Sequence, residues 1–110
     1  MLFRPVEASP WVGIAVAIGA VDGINGASEA RLRLKWPNDL ICGERKVGGV
    51  IAEVEGGSVI VGIGVNVTTT RGELPVETAT SLLLEGISLD REIVAKAMLR
   101  GIADAYRRSP

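Results

Sequence analysis

Histidine is missing from all 110 residues. Its absence removes Ser-His-Asp and Cys-His nucleophilic chemistry, and any metal site built on imidazole. One cysteine, Cys42, precludes an internal disulfide and fits a reducing, cytoplasmic setting. By residue type it reads as an inert thiol near a turn. Aromatic residues make up only 4% of the chain, so a core must be assembled from Val, Ile, Leu and Ala. No apolar run is long enough to span a membrane. The longest, near residues 12–21, is short and interrupted by glycine, and no signal peptide is expected. A net charge of −1 supplies no basic field for nucleic acid or for an anionic membrane. The length suits one domain that buries about two-thirds of the surface of its unfolded chain.

What the chain has in quantity is glycine, 14 residues, mostly set inside apolar runs rather than in a linker. That placement points to close backbone approach. "MLFRP" reads as the tail of a strand. Ser9-Pro10 then marks a helix start, serine as N-cap and proline at the first helical position. Trp11, Ile14, Ala15, Ile18 and Val21 follow at helical spacing. Gly23 and Gly26 are expected to end that helix, which is apolar nearly all round and expected to be well buried. "RLRLKW" alternates, with Leu32, Leu34 and Trp36 on one face and Arg31, Arg33 and Lys35 on the other. "LIC" gives a short strand before a turn at "GERK". "KVGGVIAEVE" gives another, with Val50, Ala52 and Val54 inward. Gly56-Gly57 signals a two-residue hairpin before the regular strand "SVIVGIGVNV". A polar loop spans Thr68 to Thr80, "SLLLEG" suggests a short helix, and Ser88 or Asp90 caps a last helix through Val94, Met98, Ile102 and Ala105. The order α-β-β-β-β-α predicts an α+β domain: an antiparallel β-sheet meander flanked by helices.

Three stretches stand apart from this framework. In "SVIVGIGVNV", Ile60, Gly62, Gly64 and Asn66 share one face. Each glycine weakens a strand by roughly 0.5–1 kcal/mol relative to alanine, and two together leave a shallow trough that serves either helix packing or a ligand. Counting back from the Gly56-Gly57 turn sets Ile51 against Gly62, Gly49 against Gly64 and Val47 against Asn66. Opposed residues share a face, so Gly49 lengthens the bare strip. Lys46 starts on the other face, unless a bulge or the turn swings it round. In "KWPND", Pro37 blocks ladder pairing and holds Trp36 extended, so that Asn38 and Asp39 leave the sheet in a set direction. A lysine and a carboxylate beside a glycine trough suit an anionic, phosphate-bearing ligand, with or without magnesium; a solvated surface ion pair is the plainer alternative.

Together, "KWPNDLICGERKVGGVIAE", "VIVGIGVNV" and "TATSL" (Thr78 to Leu82) resemble the catalytic domain of biotin–protein ligases. The resemblance covers nearly the whole chain. It implies the class II synthetase-like fold of biotin/lipoate ligase catalytic domains, and ATP-dependent formation of biotinyl-5′-AMP. Biotin would then pass to a lysine of the biotin carrier domain of a carboxylase. It also implies roles for matching residues. Lys46 would contact the biotin carboxylate and the α-phosphate. Asp39 would sit at the adenylate, hold Mg²⁺ or orient the incoming amine. Gly48, Gly49 and Gly64 would let backbone lie against biotin. Asn38 and Asn66 would face the nucleotide, and Trp36 and Pro37 would be structural.

The departures are equally specific. The family's glycine-arginine loop, expected before "LFRP", and its small C-terminal β-barrel domain do not occur in these residues. The expectation is therefore a partial catalytic domain over 1–110, holding about half the active site and forming little adenylate alone. The alternatives are a catalytically dead remnant, a binding module that holds biotin or an adenylate weakly or pairs with a partner chain, and a lipoate ligase relative; a homo-oligomer stays open. The continuous motif set argues against the last.

Overall fold

The computed structural model describes the backbone of residues 2–3 and all of residues 11–108. In chain order the elements are β1 (Leu2–Phe3), α1 (Trp11–Ala27), β2 (Leu32–Lys35), β3 (Asp39–Cys42), β4 (Arg45–Glu55), β5 (Ser58–Val65), a 3₁₀ turn (Arg71–Glu73) and α2 (Arg91–Arg108). The strands form one antiparallel sheet in the order β1-β5-β4-β3-β2. The meander is present, and β1 extends it beyond β5 through Leu2↔Ile60 and Phe3↔Val59. The Ser9-Pro10 cap lies outside the described residues.

Turn chemistry sets the registers. Gly56 and Gly57 adopt φ of 57° and 79°, the two left-handed positions that a type I′ hairpin requires and glycine tolerates. Glu55 then pairs with Ser58, Ile51 with Gly62 and Gly49 with Gly64, the register counted from the sequence. The "KWPND" run differs from expectation. It is a tight turn of Trp36, Pro37 and Asn38, with a cis Trp36–Pro37 peptide, closed by the Lys35↔Asp39 pair. Asp39 therefore opens β3 instead of leaving the sheet. Leu32 is buried, Leu34 half-buried and Trp36 63% exposed. Trp36 does not continue their face inward; it packs against Trp11 at the start of α1, ring centroids 5.8 Å apart and tilted by 48°.

One face of the sheet carries the core. Val50, Val59, Val61, Leu32 and Leu40 meet Val16, Ala17, Ala20 and Ile24 of α1. Both helices lie on this side, α1 against the sheet and α2 against α1. Gly19, Gly23 and Gly101 form the helix crossing. A Cβ on Gly23 would strike the Ala97 carbonyl, and one on Gly101 the Gly19 carbonyl. Gly23 is thus a packing residue within α1, which continues past Gly26 to Ala27. The helix is also less enclosed than its composition suggests, with Trp11 and Ile18 exposed. The Asn25 side chain ties it to β2 by accepting from Leu32 N and donating to Leu32 O.

Two further expectations are corrected. Ala52 and Val54 are exposed, because β4 runs beyond the ground that α1 covers; at that margin Gly13 lies directly against Ala52. "SLLLEG" is a single turn, closed by Gly86 at φ 83° and the Ile87 N to Leu82 O bond, with no helix. Asp90 is the cap of α2, its carboxylate accepting from Ile93 N at 2.8 Å. The opposite face of the sheet stays open, with Ile51 69% exposed and Ile60 39%.

Candidate functional site

The site begins with a count of faces along β4. Asp39 pairs with Gly49 and Leu40 with Gly48. The register then slips by one residue, and Ile41 pairs with Lys46. The extra residue is Val47, a β-bulge. Ile41 lies two residues beyond Asp39 and so points to the same side. Its partner Lys46 is turned to that side as well, while Val47 is fully buried toward the helices. The bulge thus moves Lys46 from the helix face, where strict alternation puts it, to the open face. There its Nζ lies 3.1 Å from Asp39 Oδ1. The Lys46 side chain is 54% exposed and that of Asp39 34%, so this pair adds less than about 1 kcal/mol to stability and both heads remain reachable.

Beside the pair lies the bare strip. Gly49 and Gly64 are opposed. A Cβ on Gly49 would touch Lys46 Cε and Nζ at 3.6 and 3.7 Å, and one on Gly64 would meet nothing within 4 Å. Gly48 faces the other way: it pairs with buried Leu40, and a Cβ there would collide with the Gly64 carbonyl oxygen. Asn38 sits in the turn above Gly49, and its carbonyl accepts from Val50 N at 2.9 Å. Asn66 follows the end of β5. Its N–H donates to Val47 O, its carbonyl accepts from Leu82 N, and its side-chain amide donates to Thr80 O at 3.1 Å. Lys46, Asp39, Asn38 and Gly49 are therefore in direct contact or adjacent, Gly64 lies across from Gly49, and Asn66 reaches the group through its backbone and the segment around Thr80.

That segment was not singled out by residue chemistry. The β5 chain reaches Val47 through Asn66 but stops short of Lys46, and residues 78–80 take its place there: Lys46 N donates to Thr78 O and Thr80 N donates to Lys46 O, both at 2.8 Å. Thr80 and Ser81 are fully buried. The Thr80 hydroxyl donates to Glu85 Oε2 at 2.8 Å, and that of Ser81 to Thr69 O at 2.6 Å. Arg71 Nη2 donates to Ala79 O at 2.6 Å. The 3₁₀ turn holding Arg71 is secured by Glu73, whose Oε1 accepts from both N and Oγ1 of Thr70; these two bonds lower the Glu73 carboxyl below its usual range. Burial first, and then the nearby Glu85 carboxylate, push the Cys42 thiol up, which keeps it protonated and unreactive at neutral pH. Two polar residues in an otherwise apolar run, as in "TSLLL", are the trace this segment leaves in the sequence.

No cluster of three or more His, Cys, Asp or Glu side chains occurs among the described residues. Asp39 could serve a metal ion only as one ligand among others, as Mg²⁺ held chiefly by phosphates and water would allow. No helix of the described residues is long and apolar enough to cross a membrane.

The family model described as the biotin/lipoate A/B protein ligase family matches residues 6–69. The biotin–[acetyl-CoA-carboxylase] ligase of Mycobacterium tuberculosis is 36% identical over 100 residues, covering 87% of this chain and 37% of that protein. The bifunctional ligase/repressor BirA of Escherichia coli is 30% identical over 115 residues, covering 94% of this chain and 36% of its own length. Among solved structures, biotin protein ligase from Aquifex aeolicus in complex with biotin and ATP superposes with a TM-score of 0.78 at 31% identity, over 98% of this chain and 48% of that one. The chain thus spans little more than a third of these curated relatives and about half of the solved one.

Proposed function

Since the chain belongs to the biotin/lipoate A/B protein ligase family, we propose that it forms the adenylate-facing half of a biotin–protein ligase catalytic domain. The reaction is the ATP-dependent formation of biotinyl-5′-AMP, followed by transfer to a lysine on the biotin carrier domain of a carboxylase. The observation that carries this reading is the Lys46–Asp39 pair at 3.1 Å beside a strip that Gly49 and Gly64 leave bare. The family description covers biotin and lipoate ligases alike; the resemblance of "KWPND", the Arg45-Lys46 pair and "GIGVNV" to biotin ligases favours biotin.

In the first step a biotin carboxylate oxygen attacks the α-phosphorus of ATP, the bond to the β-phosphate oxygen breaks, and pyrophosphate leaves. Lys46 is the fixed positive charge at this centre, and it offsets charge that builds on the α-phosphate oxygens. Gly49 and Gly64 let the acyl chain and phosphate approach the strands; Gly48 shapes the same stretch of backbone from the other side. Asn38 and Asn66 flank the nucleotide. In the second step the carrier amine attacks the acyl carbon, AMP leaves with the bonding pair, and the amine loses a proton. Asp39 orients that amine, and it is the residue that would help hold Mg²⁺, whose charge would offset that of the phosphates.

A test needs only binding. Titration of the chain with a non-hydrolysable biotinyl-adenylate analogue, followed by NMR, should show shifts at Lys46, Gly49 and Gly64. Lys46→Ala should weaken binding tenfold to a hundredfold, the effect of losing one charged hydrogen bond worth about 1.5–3 kcal/mol. Equal affinity in parent and variant would overturn the assignment of Lys46.

A further inference from the structure

The bulge turns Lys46 toward the open face, but a bulge by itself leaves a strand end poorly held. β5 stops at Val65. The last β4 residue it reaches is Val47, through the bond from Asn66 N. On that flank, the N–H and C=O of Lys46 are taken by Thr78 and Thr80, which run alongside as a short parallel bridge. Residues 78–80 therefore act as a strap that substitutes for a missing strand beside the bulge. The strap is held from behind. The buried Thr80 hydroxyl donates to Glu85, the Thr80 carbonyl accepts from Asn66, and the Ala79 carbonyl accepts from Arg71.

We propose that Thr80 is a positioning residue for Lys46: its hydroxyl, anchored on Glu85, holds the strap that fixes the bulged backbone and so keeps the Lys46 ammonium on Asp39 at the mouth of the glycine trough. This rests on the reading of Lys46 as the ligand-facing cation. The geometric part stands independently of it. Thr80 touches no reacting atom; it acts through the two peptide hydrogen bonds around Lys46.

The test reads the Lys46 side chain directly. The full 110-residue chain is reductively ¹³C-methylated; its only other lysines, Lys35 and Lys96, are identified by Lys35→Arg and Lys96→Arg. Asp39→Asn supplies the signal position of an unpaired Lys46. Thr80→Val, which keeps the shape and removes the hydroxyl, should move the Lys46 signal at least halfway to that position. Thr80→Ser, which restores the hydroxyl, should leave it at the parent position. A folded Thr80→Val chain with an unmoved signal overturns the proposal. Should Thr80→Val fail to fold, Glu85→Ala removes the same anchor at a half-buried loop residue. A shift in that variant supports the proposal; an unmoved signal, or loss of the fold there too, overturns it. The two readings separate cleanly. Unchanged analogue binding in Lys46→Ala would end the ligand role of Lys46 while leaving the Thr80 effect on its signal intact.

Discussion

Neighbouring glycines in this sheet have opposite reasons to be glycine. Gly48 has no room: a Cβ would run into the Gly64 carbonyl. Gly48→Ala should therefore cost about 3 kcal/mol, the upper range for forced overpacking, seen as a lower urea midpoint. Gly64 has open space on its side-chain face. Gly64→Ala should change stability by less than about 1 kcal/mol yet weaken adenylate-analogue binding roughly tenfold, because its methyl group would enter the trough; calorimetric titration of the folded variant checks this. The opposition of Gly49 and Gly64 was legible in the sequence, since a two-residue turn at Gly56-Gly57 fixes the count. The side taken by Lys46 was open, since strict alternation places it among the helices and only a bulge reverses that. Asn66 shows a different limit. Its residue type suggests a ligand contact, but whether its amide is committed to Thr80 depends on a loop far along the chain.

Helices pose the same ambiguity one level up. A glycine in an apolar helix reads as a stop signal, and it reads identically when it marks a crossing. Gly23 and Gly101 belong to the crossing, Gly26 to neither role. Alanine is the better helix former by about 1 kcal/mol, so Gly26→Ala, with nothing near its Cβ, should raise stability by about 0.5–1 kcal/mol. At Gly101 the same intrinsic gain is outweighed by contact with the Gly19 and Gly23 backbones, and Gly101→Ala should lower stability by about 2 kcal/mol. Thermal unfolding of the two variants should move in opposite directions. The 3₁₀ turn offers a pH test. Glu73 is held below the ordinary glutamate value of 4.5 by its bonds from Thr70. A lowered folded-state value means that the turn gains support above the ordinary range and loses it as pH falls through the lower one. The Thr70 amide signal should titrate with a midpoint below 4.5, and Glu73→Gln should abolish that titration.

At the scale of the molecule, both helices sit on one side of the sheet, so its two faces should respond differently to substitution. Val61, fully buried, should cost about 2 kcal/mol as Val61→Ala, from lost transfer energy and the cavity left behind. Ile51, on the open face, should stay within about 0.5 kcal/mol as Ile51→Thr. Denaturant titration of both variants tests the asymmetry. The meander and the apolar side of β5 were readable from period-two alternation, while the overhang at Ala52 and Val54 was not, because alternation records which side a residue takes and nothing about how far the covering helix extends. The bulge has one last consequence, of parity. One surplus residue lets two neighbours on β4 take opposite sides: Lys46 stays opposite Ile41 toward solvent, while Val47 goes into the oily interior. Removing Val47 alone would restore a one-to-one ladder with the ammonium still turned outward by plain alternation, so the deletion would be felt as a lost core valine and not as a reversed lysine.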